Sequence, residues 1–285
     1  MQLISPMKQR VWHWPAVANF FLGGMAGGLY LIQSVLTHFV NTPKGNSLFV
    51  KFTLVASALI LLGLLLVGLE SGRPMRGLYV FREPRRSWMS REAWAAVVFV
   101  PAAILNCIIP NLVVLSVAIC AAFFFMVSQG LIVYSARGVT AWNVPIIPLF
   151  FISSGLATGS GLFLLLTTVA DLGLNKTVVA ISICSASLNI LVWFTYLKWS
   201  KTPEFLASTE RLRRPVSMFI TLGLGHLLPL LILLPMAMGS NELLTRQIGE
   251  NAAAFAGLLL IWAGMLQKSG LILKTGYFRG IGFGE

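Results

Sequence analysis

Long apolar segments alternate with short polar ones along the whole chain, and the strict apolar–polar alternation of membrane β-strands is missing. A membrane-spanning helix needs about 20 apolar residues. Eight segments meet or approach this length, near residues 15–39, 49–70, 93–109, 112–134, 145–170, 177–199, 216–239 and 252–273. The pattern therefore predicts an all-α integral membrane protein with eight transmembrane helices.

The start of the first segment is repeated 130 residues later, at the start of the fifth. The matching aromatic and proline positions are Trp12, Pro15, Phe20 and Phe21 in one copy, and Trp142, Pro145, Phe150 and Phe151 in the other. The repeat separates the spans into two groups of four. We therefore expect two four-helix bundles, residues 1–136 and 137–285, related by a parallel internal repeat, because an even number of spans per half keeps both halves in the same orientation.

The first segment carries small residues behind its aromatic start, in the run Gly23-Gly24-Met25-Ala26-Gly27-Gly28. Glycine allows two helix backbones to approach closely in a membrane, so this face predicts a contact with another helix. Trp12 and Trp14 suit the headgroup layer, and Pro15 suits the first helical turn.

Composition supports this prediction, since 57% of the residues are hydrophobic, 11% are charged and the mean hydropathy is +0.83. The net charge of +12 follows the loops, so nucleic acid is not expected as a partner. The lysines and arginines, Lys268 included, fall on the side of the termini except for Lys44, Lys51, Lys176 and Arg246. The positive-inside rule makes that side cytoplasmic and the protein a multi-pass protein of the inner (cytoplasmic) membrane. Alternatively, the arginines dock an acidic partner subunit.

Polar residues at membrane depth are candidates for function. In the sequence, Glu70 is the only acidic residue expected at the terminal-side end of a span, and Arg73 can neutralise it; a helix-end salt bridge is the alternative. The residues expected at the same depth are His13, Asn19, Tyr134 and Trp142.

Further polar residues lie deeper in the spans, namely Gln33, Asn106, Gln129, Asn189 and His226. Taken singly, each predicts a hydrogen bond between helices; taken together, they could form a hydrated proton path. Cys107, Cys120 and Cys184 are isolated, and of the three histidines only His226 lies deep in a span. We therefore expect no metal site, no haem and no iron–sulfur cluster in this chain.

The Trp12-His13-Trp14-Pro15 start and the glycine run resemble the first helix of the NrfD/PsrC-type polysulfide reductase membrane subunits. The segment Glu70-Ser71-Gly72-Arg73-Pro74 is similar to the family's Asp-x-Gly-Arg-Pro. Tyr134, the following Ala141-Trp142-Asn143-Val144-Pro145 and the polar opening of the fifth span match as well, and the resemblance covers all eight spans. The chain departs from the family pattern at Ala16 and in having glutamate at position 70.

The resemblance implies a quinone-binding membrane anchor of a respiratory oxidoreductase complex, which is not catalytic alone. Such an anchor exchanges electrons between the quinone pool (menaquinone or ubiquinone) and an iron–sulfur subunit with four clusters. A molybdopterin-type catalytic subunit or a cytochrome completes the complex, and proton translocation is an open question.

In the family pattern, a histidine and an asparagine of the first helix and a tyrosine near the end of the fourth contact the quinone. These positions correspond here to Asn19, Ala16 and Tyr134. The resemblance and the depth argument together predict quinone binding by Asn19, Tyr134, His13 and Trp142, and proton relay by Glu70, Arg73 and His226.

A secondary transporter with a polar path through the membrane is the alternative function. The duplication and the polar residues within spans favour it, whereas the parallel repeats and the absence of spans broken at mid-membrane count against it. The side that carries the partner subunits also stays open, because many complexes of the family work outside the cytoplasmic face.

Overall fold

The computed structural model describes residues 2–4, 7–9, 11–39, 45–70, 74–170, 173–238, 246–278 and 281–282. Within these ranges, eight helices are long and apolar enough to cross a membrane, so the predicted all-α membrane fold is confirmed. The first six are α1 (Trp14–Phe39), α2 (Gly45–Glu70), α3 (Trp88–Ile108), α4 (Leu112–Tyr134), α5 (Ile147–Val169) and α6 (Lys176–Leu197).

The last two spans are less regular. After a short helix outside the spans, α7 (Pro203–Arg213), the seventh span runs through α8 (Pro215–Met218), a π-helical stretch (Phe219–Leu227) and α9 (Leu228–Ala237). The eighth span is α10 (Arg246–Ser269), which a second π-helical stretch (Gly270–Lys274) extends. A 3₁₀ helix (Pro74–Arg82) precedes α3. The π-helical stretches of the seventh and eighth spans have wider turns than an α-helix; such turns are rare and occur frequently at functional sites.

The α3–α4 connection is a tight hairpin at Pro110-Asn111. Asn111 precedes α4, and its side-chain oxygen accepts the backbone N–H groups of Val113 and Val114 at 2.8 and 3.3 Å. The Asn111 backbone N–H in turn donates to Asn106 Oδ1 at 3.1 Å. The asparagine cap satisfies otherwise unpaired N–H groups and so allows α4 to begin directly after the turn.

α1 and α5 pack closely through their glycines. A Cβ added at Gly155 would lie 2.8 Å from the carbonyl oxygen of Gly24, and one added at Gly159 would lie 2.7 Å from the Cα of Gly28. The contact predicted from the glycine run is therefore confirmed, with α5 as the partner helix. α1 also packs against α2 and α4, and α5 against α6 and α10. The bundle boundaries and the internal repeat stay predictions.

Both ends of the chain lie on one side of the molecule, as an even number of spans requires. β1 (Gln2–Ile4) pairs antiparallel with β2 (Ile281–Gly282). The backbone N–H of Gln9 donates to the carbonyl of Gly276 at 2.7 Å, and that of Phe278 to the carbonyl of Met7 at 2.9 Å. We call this side the terminal side.

Candidate functional site: a buried polar cluster near the terminal side

Three polar side chains from three helices meet inside the first half of the chain, and we call them the amide–carboxylate cluster: Asn19 of α1, Glu92 of α3 and Gln129 of α4. Asn19 Nδ2 donates to Glu92 Oε1 at 2.9 Å, and Gln129 Nε2 donates to the same oxygen at 3.1 Å. Gln129 Nε2 also donates to the backbone carbonyl of Asn19 at 3.0 Å. All three side chains are buried. One carboxylate oxygen thus receives two N–H donors in surroundings of low dielectric, where such bonds are strong.

The cluster lies at a single depth in the spans. Asn19 and Glu92 follow the starts of α1 and α3 by about one turn, and Gln129 precedes the end of α4 by a similar distance. Since a helix rises about 1.5 Å per residue, the three side chains lie about 6–8 Å inside the terminal-side helix ends. This is membrane depth, where polar groups are expensive and are candidates for function.

The eighth span contributes a lysine to the same region. Lys268 is fully buried, and its Nζ donates to the carbonyl of Phe20 at 2.9 Å. It also lies 5.5 Å from the centre of the Phe151 ring. Nζ occupies the space that a Cβ at Gly24 would need, and Gln129 Oε1 lies 3.7 Å from that same point. Because residue 24 is a glycine, the Lys268 side chain of α10 can extend to the edge of the amide–carboxylate cluster.

Two sequence interpretations are wrong at this site. Glu70 is not the only acidic residue at a terminal-side span end, because α3 begins at Trp88 and places Glu92 inside the span. Lys268 lies within the predicted eighth span but was counted with the basic residues that follow the loops, whereas the structure buries it completely. The signal for Glu92 was Ser87, whose side chain accepts the N–H of Ser90 at 3.4 Å and marks the true start of α3.

Two acceptor oxygens of the cluster are buried and have no hydrogen-bond partner within the described residues, Asn19 Oδ1 and Gln129 Oε1. A Cβ at Gly63 of α2 would lie 3.0 Å from Asn19 Oδ1, so the glycine lets α2 pack directly against the Asn19 amide. Leaving a buried acceptor unsatisfied costs about 1–3 kcal/mol. The hydroxyl group of a ligand or a water molecule would supply the missing donor.

His13 and Glu70 come together at the membrane surface. The backbone N–H of His13 donates to Glu70 Oε1 at 2.8 Å, while the His13 side chain is exposed. Glu70 is half-buried and ties the end of α2 to the start of α1. Arg73, the third member of this predicted group, lies outside the described residues.

Tyr134 and Trp142 lie at the terminal side of the core. Tyr134 is half-buried at the end of α4 and packs against the cluster of apolar side chains there. Trp142 is buried and stacks on Trp12, with ring centres 4.9 Å apart. Its indole N–H donates to the carbonyl of Leu271 at 2.8 Å, which occupies the only donor of that side chain. Quinone binding by these residues stays a prediction.

His226 lies in the π-helical part of the seventh span, which packs against α10. Its Nδ1 is 2.7 Å from the carbonyl of Thr221, so this nitrogen carries the proton and donates it. The other polar residues of the spans mostly join helices: Gln33 donates to Thr53 at 2.9 Å, and Gln267 donates to Asn189 at 3.0 Å. Among the described residues, no group of three metal-ligating side chains is found.

The fold and the buried cluster define a multi-pass helical membrane protein with a charged site near its terminal side. The chain matches the family model of polysulphide reductase, NrfD, over residues 3–269, and it belongs to this family. The resemblance seen in the sequence is thereby confirmed. Membership implies a membrane subunit of a polysulfide-reductase-like oxidoreductase complex. A comparison of the chain with curated proteins finds no match.

Proposed function

We propose that this chain is the quinone-binding membrane subunit of a respiratory oxidoreductase complex and exchanges electrons between the quinone pool and an iron–sulfur partner. Family membership supports the class of complex. The observation that carries the site is Asn19, whose Nδ2 donates to Glu92 while its buried Oδ1 has no hydrogen-bond partner in the part of the chain that the structure describes. An amide whose nitrogen is held by a hydrogen bond and whose oxygen lacks a donor is suited to accept a hydrogen bond from a ligand.

A bound quinone supplies two-electron, two-proton chemistry, and the chain supplies the polar contacts. Asn19 Oδ1 accepts a hydrogen bond from the hydroxyl group of a quinol. The Tyr134 phenol donates to a quinone oxygen at the end of α4. Glu92 and Gln129 hold the α1 amide in one orientation, so that it meets the ligand without rearranging.

The partner subunits dock on the terminal side in this proposal. Its exposed loops carry many basic side chains, including Arg82, Arg85, Arg86, Arg211 and Arg213. Such a surface complements an acidic iron–sulfur subunit, to which a molybdopterin-type subunit or a cytochrome would bind in turn. By the positive-inside rule we place this side in the cytoplasm. Glu70 and His226 stay candidates for carrying protons to and from the aqueous phase.

The test uses the whole complex in native membranes, with the variants Asn19→Ala and Tyr134→Phe. We expect each to lower the turnover of a quinol analogue tenfold or more, as loss of a positioned polar group does. The control is Tyr79→Phe, which alters an exposed tyrosine outside the spans. Mass spectrometry of the purified complex checks that the iron–sulfur partner still binds. Normal turnover in both variants would remove these residues from the site, and a chain that purifies without such a partner would contradict the proposal.

A further inference from the structure

We propose that Glu92 is the group through which this site exchanges a proton with the bound quinol, and that Lys268 is the buried cation that balances its charge. The inference rests on the proposed function and names the proton-exchanging group of the same site. Neither residue was expected from the sequence pattern.

Glu92 and Lys268 are two of only three aspartate, glutamate, lysine or arginine side chains that are buried among the described residues; the third is Glu250. Glu250 lies near the start of α10, at the other end of that helix from Lys268. A single charge at membrane depth is expensive, and such groups occur in pairs or at functional sites. Both are buried near the terminal side of the spans, and in this proposal each balances the charge of the other.

Two consecutive carbonyl groups of α1 hold Lys268 beside Gln129, which is the hydrogen-bond partner of Glu92. The carbonyl of Asn19 accepts from Gln129 Nε2 at 3.0 Å, and the next carbonyl, that of Phe20, accepts from Lys268 Nζ at 2.9 Å. Gln129 Nε2 bonds to Glu92, while Gln129 Oε1, which has no hydrogen-bond partner among the described residues, lies 3.7 Å from the Cβ position of Gly24, where Lys268 Nζ is also found. The glutamine therefore lies between the carboxyl group and the lysine without bonding to the lysine.

Glu92 also bonds directly to Asn19, the residue that we propose contacts the quinone, because Asn19 Nδ2 donates to Glu92 Oε1 at 2.9 Å. Glu70 is less suitable, since it is half-buried and accepts from a backbone N–H at the surface. A proton held by Glu92 is shielded from bulk water, whereas a proton on Glu70 is not. This difference favours Glu92 for proton transfer inside the membrane.

Quinone reduction takes up two electrons and two protons, and Glu92 supplies one of the protons. The iron–sulfur partner supplies both electrons, the O–H bond of Glu92 breaks, and a new O–H bond forms on one quinone oxygen, while the other oxygen takes its proton from the aqueous phase on the terminal side. The carboxylate that remains accepts the N–H groups of Asn19 and Gln129, and Lys268 balances its charge. In quinol oxidation the carboxylate accepts one of the two protons, the other passes to the aqueous phase, and both electrons leave through the same partner.

Redox-induced infrared difference spectroscopy on the intact complex tests the assignment of Glu92. We expect the wild type to show a carbonyl-stretch change of a protonated carboxylic acid, Glu92→Gln to lose it and Glu70→Gln to keep it. Turnover of Glu92→Gln should fall about 100-fold, as loss of a general acid–base does. If the Glu92→Gln protein does not accumulate, the wild type is treated with dicyclohexylcarbodiimide instead. Labelling of Glu92 that a quinol analogue prevents would support the assignment, and the absence of such labelling would overturn it.

Lys268→Met tests the balancing charge. We expect it to lower turnover about tenfold, and the double variant Glu92→Gln/Lys268→Met to turn over no more slowly than Glu92→Gln alone, because both changes act on one group. Lys274→Met, an exposed lysine of the same span, should leave turnover unchanged. Multiplying effects in the double variant, or an unchanged infrared band in Glu92→Gln, would overturn the inference. Normal turnover in Glu92→Gln while Asn19→Ala is impaired would overturn it but leave the proposed function standing.

Discussion

Two amide groups converge on Glu92 Oε1, from residues 73 and 37 positions away along the chain. A hydrogen bond to a charged acceptor contributes about 1.5–3 kcal/mol, and it is stronger where water is excluded. The carboxylate can therefore exist at membrane depth only while Asn19 and Gln129 both point at it. The same bonds fix which side of the Asn19 amide remains available to a ligand.

Replacing Gln129 with leucine should destabilise the protein, because Glu92 and the carbonyl of Asn19 each lose a donor. We expect the free energy of unfolding in mixed micelles to fall by about 1–3 kcal/mol. The matched control is Gln247→Leu, since Gln247 is exposed and bonds only to Asn251 in its own helix, at 3.3 Å. That change should stay within about 0.5 kcal/mol. Equal stability of the two variants would show that the Gln129 bonds contribute little.

At the scale of elements, the site depends on how closely α1 approaches its neighbours. Gly24 leaves room for Lys268 of α10, and Gly63 of α2 allows that helix to pack against the Asn19 amide. Gly28 and Gly159 bring α1 and α5 into backbone contact. Membrane helices have little hydrophobic driving force between them, so such close packing supplies much of the association energy.

Gly159→Ala should separate α1 from α5, because the new Cβ would meet backbone atoms of Gly28 that cannot move aside. We expect a loss of about 1–3 kcal/mol in the free energy of unfolding, as overpacking generally causes. Gly68→Ala is the control, since a Cβ there meets nothing within 4 Å and alanine favours the helix by up to about 1 kcal/mol. A Gly159→Ala protein as stable as Gly68→Ala would contradict the packing assigned to these glycines.

For the whole molecule, the two halves meet at one site rather than serving two separate ones. The amide–carboxylate cluster belongs to α1, α3 and α4, and the cation that balances it comes from the last span, 248 residues after the carbonyl that it binds. The termini, the basic loops and this site all lie on the terminal side. A partner that docks there would be close to the site through which we propose that electrons and protons pass.

Cysteine labelling tests the orientation of the molecule. In a background without Cys107, Cys120 and Cys184, we expect Lys201→Cys on the terminal side to react with a membrane-impermeant maleimide only in inside-out vesicles. Pro110→Cys, in the opposite α3–α4 turn, should react only in right-side-out vesicles. The physical reason is the excess of basic residues on the terminal side, which favours the cytoplasm. The reverse labelling pattern would place the termini outside and would assign the arginines to docking alone.

The sequence by itself determined the eight spans, the common side of the termini and the glycine contact of α1, because length, hydropathy and small residues act locally along the chain. It also placed Asn19 in the site. Only the tertiary structure decided which residues surround Asn19, since lateral packing between helices leaves no periodic signal. Glu92 was missed because counting apolar residues began the third span at residue 93, whereas α3 begins at Trp88. Lys268 was missed because hydropathy alone does not show whether a lysine near a span end is buried. Their burial depends on Gly24 and on helices far apart in sequence, and this is information that only the packed molecule contains.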